Sequence, residues 1–200
     1  MAETKLKTVR RQSARAGIVA SIVAILVGLF GGGMANAAEK SLTFKGAFPI
    51  IGEQSVTAVV KAEIPATATG GQALSVPFTL DVDAGVAAGD GLRLVGATKI
   101  SGNIKSSVTI KLASGDTVPL PVELPIPETP VPPEGALTFS ASGTVEFTVP
   151  AGTPAGTATT SVDPEAVSHV VTDSDLGEFD VNLALDPPDQ DTVLGTTEIS

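Results

Sequence analysis

The sequence predicts an all-β chain built as a β-sandwich, and three observations carry that prediction. Apolar and polar residues alternate over five separate stretches, short Gly- and Pro-rich segments punctuate those stretches, and helical periodicity is scarce. Successive side chains of a strand point to opposite faces, so a period of two marks a half-buried strand. Strands at short spacing between turn residues form sandwiches. The expected organisation is a signal peptide over 1–37, a first β-sandwich domain over 38–117, a proline-rich linker over 118–133 and a second β domain over 134–200.

The first 37 residues stand apart from the rest. Lys5, Lys7, Arg10, Arg11 and Arg15 form a basic head, GIVASIVAILVGLF (Gly17 to Phe30) an apolar centre, and Ala35-Asn36-Ala37 a small-x-small end. This is the pattern of a secretory signal helix cut between Ala37 and Ala38. Arg10-Arg11 leaves a twin-arginine signal open, although the residues that follow, QSAR, are not apolar. Retention as an anchor is also open, because about 20 apolar residues span a bilayer. Gly31-Gly32-Gly33 and the Ala-Asn-Ala end argue for the cut.

Cleavage sharpens the charge. The whole chain carries 12 basic and 22 acidic residues, and the part after Ala37 keeps 7 and 21, a net of −14. No Lys or Arg follows Lys111. Such a surface repels phosphate backbones and anionic lipid, so neither nucleic acid nor, after signal cleavage, a membrane is an expected partner. The chain has no Cys, Trp or Tyr. Disulfide scaffolds, cysteine metal sites and thiol nucleophiles are therefore excluded, and so are the Trp and Tyr platforms of many sugar-binding modules.

The strands follow in order. QSVTAVVKAEI turns Val56, Ala58, Val60, Ala62 and Ile64 one way and Thr57, Lys61 and Glu63 the other. ALSVPFTLDV alternates about Leu74, Val76, Phe78 and Leu80, and Pro77 within it marks an edge or a bulge. SVTIKLA, GTVEFTV and EFDVNLAL repeat the pattern. VDAGVAAGDGL has room for one helical turn, while AVSHVVT reads as a strand leading into a hairpin at DSDLG. Between the halves lies VPLPVELPIPETPVPPEG, with seven of the 15 prolines. Proline fixes φ and lacks a donor, so this run reads as a stiff connector of polyproline geometry.

LTFKGAFPIIGEQSVTAVVKAEIPATATGGQ resembles the opening of a domain of unknown function found in secreted actinobacterial proteins. The matching elements are Leu42-Thr43-Phe44, Phe48-Pro49-Ile50-Ile51-Gly52, Ile64-Pro65 and Gly70-Gly71, then the Gly91–Gly102 stretch, the proline passage, GTPAGTATTSV and the tail FDVNLALDPPDQDTVLGT. The resemblance implies export and an immunoglobulin-like β-sandwich, with no catalytic residues to carry over. It also places Gly46 where relatives carry a Cys whose partner falls near Leu185 to Pro187. Losing that bridge forgoes about 2–4 kcal/mol.

Among the polar residues, His169 is the one imidazole, with Ser168 and Asp173 near it in sequence but without triad spacing. The acids Asp173, Asp175, Glu178 and Asp180 cluster at a turn and are the calcium candidates, since calcium takes 6–8 oxygen ligands, often from loops. The expected function is a secreted, non-enzymatic module, structural or partner-binding, at or near the cell surface, either free or associated with the wall. Its expected partner is a cell-surface or extracellular protein, and no cofactor is expected unless calcium. The alternatives are a calcium-dependent adhesion-like module and a hydrolase using His169.

Overall fold

Each stretch with a period of two becomes a strand. The computed structural model describes residues 35–200. Their elements are β1 (Ala35–Phe48), β2 (Gly52–Pro65), β3 (Thr67–Ala68), β4 (Ala73–Asp83), α1 (Gly85–Leu94), β5 (Lys99–Lys111), β6 (Thr117–Pro130), β7 (Thr138–Thr148), β8 (Gly156–Thr172), β9 (Glu178–Leu185) and β10 (Val193–Ile199). The faces are the expected ones in β2, where Val56, Ala58, Val60, Ala62 and Ile64 are buried while Thr57 and Lys61 are exposed. No helix among the described residues is long and apolar enough to cross a membrane.

The strands pair in the order β7-β4-β2-β1-β9-β8, and β5 continues from β8 to β6. The sheet folds over on itself as a sandwich, with β1, β2, β4 and β7 in one layer and β5, β6, β8 and β9 in the other. Three residue pairs join the layers at one corner, Phe44–Leu185, Lys45–Ala184 and Gly46–Leu183. At the opposite side β6 lies along β7 without a ladder among the described residues. There a Cβ on Gly143 would come within 3.6 Å of the Glu123 carbonyl oxygen. β10 extends the sheet from the first half of β8, and short β3 runs parallel to it.

The proline passage is a strand and not the expected linker. Thr117–Pro130 is β6, paired antiparallel with β5 along its length. Pro119, Pro121, Pro125 and Pro127 all sit at odd positions, and each is exposed, while Val122, Leu124 and Ile126 are buried. Backbone N–H groups alternate sides along a strand, so the missing donors all face away from β5, the one arrangement in which proline leaves a ladder intact. The two expected domains are accordingly one unit across the described residues. The larger apolar core joins Val60, Phe78 and Leu42 from before the prolines to Leu124, Val162 and Val170 within and beyond them.

Two further expectations change. A ten-residue helix, α1, begins within VDAGVAAGDGL and runs on to Leu94, where one turn was read. Its glycines are poor helix formers, but they let it sit close: a Cβ on Gly89 would lie 2.6 Å from the Gly135 carbonyl oxygen and one on Gly91 2.9 Å from Ile51. Arg93 then donates to the Pro132 carbonyl at 2.7 Å. The register also places the residues named by the family resemblance. Gly46 lies opposite Leu183, and it is Thr43 and Phe44 that meet residues 185–186. A Cβ at Gly46 would stand 2.7 Å from the Asn182 carbonyl oxygen. Glycine here is what lets β1 close on β9.

The hairpin after Phe44 turns over Pro49, Ile50 and Ile51, with Phe48 paired to Gly52. The Ile51 amide donates to the Pro49 carbonyl at 2.8 Å, and Ile50 between them has φ of 73°. A β-branched residue in that region closes a strained γ-turn, and Ile50 projects its side chain into solvent. Residues 1–34 of the expected signal helix lie outside the described residues. Ala37 and Ala38 fall in β1 opposite Glu63 and Ala62; Ala35 to Ala37 are exposed, and full burial begins at Leu42.

Candidate functional site

Alternation along β8 decides the fate of the polar candidates. Ser168 is buried and points between the layers, so His169 points out. His169 Nδ1 lies 2.7 Å from Asp180 Oδ1 across the β8–β9 ladder, and its Nε2 lies 3.8 Å from Glu178 Oε2. The Ser–His–acid arrangement is not assembled, because Ser168 and His169 are on opposite faces of the sheet. Asn103 stands directly opposite His169 on β5, and its Oδ1 is buried without a hydrogen-bond partner among the described residues.

The four calcium candidates are not gathered either. Asp173 turns back to β5, where its carboxylate accepts the Thr98 N–H at 2.8 Å, the Lys99 N–H at 3.2 Å and the Thr98 hydroxyl. The Thr98 side chain and amide hold its carboxyl down at about 2. Asp175 is exposed at the turn, while Glu178 and Asp180 flank His169. Among the described residues no group of three or more His, Asp or Glu converges to hold a metal ion. Other acids serve as links between strands: Asp81 receives Lys61 at 2.8 Å and Asp191 receives Lys40 at 2.6 Å, and each lysine pulls its partner's carboxyl below the usual range.

A concave feature lies among the inward-facing side chains. Between the layers lies a cavity of about 90 Å³, walled by Phe44, Phe48, Phe78 and Phe139 together with aliphatic side chains such as Val56 and Ala58. Two smaller voids of about 40 Å³ adjoin it. One shares Phe78 and Val108 with the central cavity and runs toward Ile64 and Phe147. The other shares Phe48 and lies beneath the hairpin and α1, against Ile51, Leu92 and Phe179. All six phenylalanines after residue 37 thus face these voids, and no charged side chain lines any of them. At about 24 cal/mol per Å³, keeping the central cavity empty costs about 2 kcal/mol.

The polar part of the central wall is confined to Ser106, Ser107 and Ser168. Two of these flank an irregularity in the β5–β8 ladder, where pairing skips from Ser106–Ala166 to Val108–Val162. The extra residues Asp163, Pro164 and Glu165 bulge outward, with Pro164 tolerated because the ladder is already broken. The Ser106 hydroxyl donates to the Glu165 carbonyl at 2.8 Å, and the Thr109 hydroxyl to Asp163 Oδ1 at 2.6 Å. Ser107 borders the cavity too, while its hydroxyl donates to Asp163. Sequence reasoning missed this site. Its one signal was the parity of the phenylalanines, which places them inward but does not report the space between layers.

The model of a family of unknown function (DUF6801) matches residues 43–195. The chain belongs to this family. The DUF6801 match takes in both layers, the proline strand and the whole lining of the central cavity. No curated protein matches the chain, and no solved structure does.

Proposed function

We propose that this DUF6801 chain is an exported, non-enzymatic binding module that works at or near the cell surface and binds through its interior. The observation that carries the reading is the division of chemistry between inside and outside. The cavities are walled by apolar side chains with a few hydroxyls and no titratable group. The acids that stand out by pKa, Asp81, Asp173 and Asp191, are spent on linking strands. General acid–base chemistry needs a titratable group within reach of the reacting atoms, whereas small-molecule sites are mostly apolar with a few polar anchors. The basic head, apolar centre and Ala35-Asn36-Ala37 support export, and the immunoglobulin-like, actinobacterial character implied by the resemblance accords with it.

Fractionation of the producing cells tests the reading. The expected result is a chain that begins at Ala38, found in the medium or the wall fraction. An intact N-terminus in the cytoplasm would overturn it. A defined turnover by the purified chain, abolished by His169→Ala, would overturn the non-enzymatic part.

A further inference from the structure

We propose that the interior binds one unbranched acyl chain carrying a neutral, hydroxyl-bearing headgroup, with the head at the serines of the central wall and the chain running on into an adjoining void. This rests on the reading of the protein as a binding module and names its ligand class.

The shape of the space selects a chain over a compact ring. The cavities share walls in series: Phe48 stands between the void under the hairpin and the central cavity, and Phe78 with Val108 between the central cavity and the void beyond. β2 runs along the row, with Val56, Ala58 and Val60 on the central cavity and Ile64 on the far one. Val56 to Ile64 covers about 26 Å at ~3.3 Å per residue. A ring would fill one void and leave the others empty. A flexible chain whose head stands at the central wall fills the central cavity and one neighbour once Phe48 or Phe78 turns aside, which removes more of the empty space than a ring can.

The wall chemistry selects the head. Water needs two to four polar partners to settle in a cavity, and hydroxyls occur at one place in the central wall, around Ser106, Ser107 and Ser168. A head with hydroxyl groups can exchange hydrogen bonds with the serine hydroxyls of this wall. A carboxylate or phosphate head would be buried with no cationic side chain on the wall to pair it, and an unpaired buried charge is costly.

Displacement of Nile red from the mature protein by monopalmitoylglycerol and by palmitate tests this. The expected result is one site per chain, with monopalmitoylglycerol displacing the dye at a concentration about tenfold lower than palmitate. Ala58→Leu, which puts a larger side chain into the central cavity, should weaken monopalmitoylglycerol binding by about tenfold or more with an unchanged circular dichroism spectrum. Ala166→Leu fills the same cavity from the other layer and serves if the first variant misfolds. Ser168→Ala, which removes a hydroxyl from the central wall, should narrow the preference for the neutral lipid. No displacement by either lipid, or wild-type affinity in both folded filling variants, overturns the site. Equal affinity for the two lipids overturns the headgroup. An exported chain that binds neither lipid leaves the export reading standing, whereas an unprocessed cytoplasmic chain overturns that reading whatever its cavity binds.

Discussion

The proline strand yields a prediction of parity. Pro121 lies opposite Ser107 and Val122 opposite Ser106. Pro121→Thr restores a donor on the side away from β5, so no ladder bond is lost. Its cost is the added freedom of the unfolded chain, about 0.4–1 kcal/mol. Val122→Pro removes a donor that faces β5 and leaves a Ser106 carbonyl unpaired, at about 1–3 kcal/mol. Val122 is also 7 % exposed, and its misfitted replacement adds about 1 kcal/mol at ~0.8 kcal/mol per buried methylene. The sum, about 2–4 kcal/mol, is a large part of the ~5–15 kcal/mol that a domain possesses. Urea denaturation followed by far-ultraviolet circular dichroism measures both, because the chain has no Trp or Tyr to report by fluorescence. The midpoint should fall slightly for Pro121→Thr and strongly for Val122→Pro, with an unchanged slope. Equal, small effects would restore the linker, and the reverse order would shift the register by one residue.

Three other outcomes follow from the same structure. Gly46→Ala should cost about 1–3 kcal/mol in a urea titration by overpacking the β1–β9 corner, where a Cβ has 2.7 Å to the Asn182 carbonyl oxygen; a neutral result would refute the close approach. The folded Asp173 carboxyl is lowered from 3.8 to about 2, so its contribution to stability is present above about pH 4 and lost as pH falls toward 2. Asp173→Asn should therefore lower the thermal midpoint at neutral pH and shrink the gap from wild type through that acid window. His169→Ala removes one partly exposed cross-strand pair with Asp180 and should cost under about 1 kcal/mol, with lipid binding unchanged.

Much of the fold was legible because burial writes itself as a period of two. EFDVNLAL is β9 from end to end, and the inward set of β2 was read residue for residue. β5 was seen only in its second half. Its inward positions include Gly102 and Ser106, which interrupt the apolar alternation of Ile100, Ile104 and Val108. Gly102 is required by packing, since a Cβ there would collide with the His169 carbonyl oxygen 2.0 Å away. The proline strand was misread because composition masked parity: its prolines alternate with Val, Leu and Ile as polar residues do in other strands. Pro77 was read correctly. The β2–β4 ladder begins at Phe78, so Pro77 sits on a locally free edge. The cavity was not legible at all, because a void depends on how two layers distant in sequence meet.

Native mass spectrometry of the protein isolated from the medium or wall of its producing cells tests the central claim most directly, that this is an exported module whose working part is its apolar interior. The account predicts a chain beginning at Ala38 that carries the mass of one neutral single-chain lipid, released by organic extraction. A chain from that fraction with no added mass, or one that still carries residues 1–37, would contradict it.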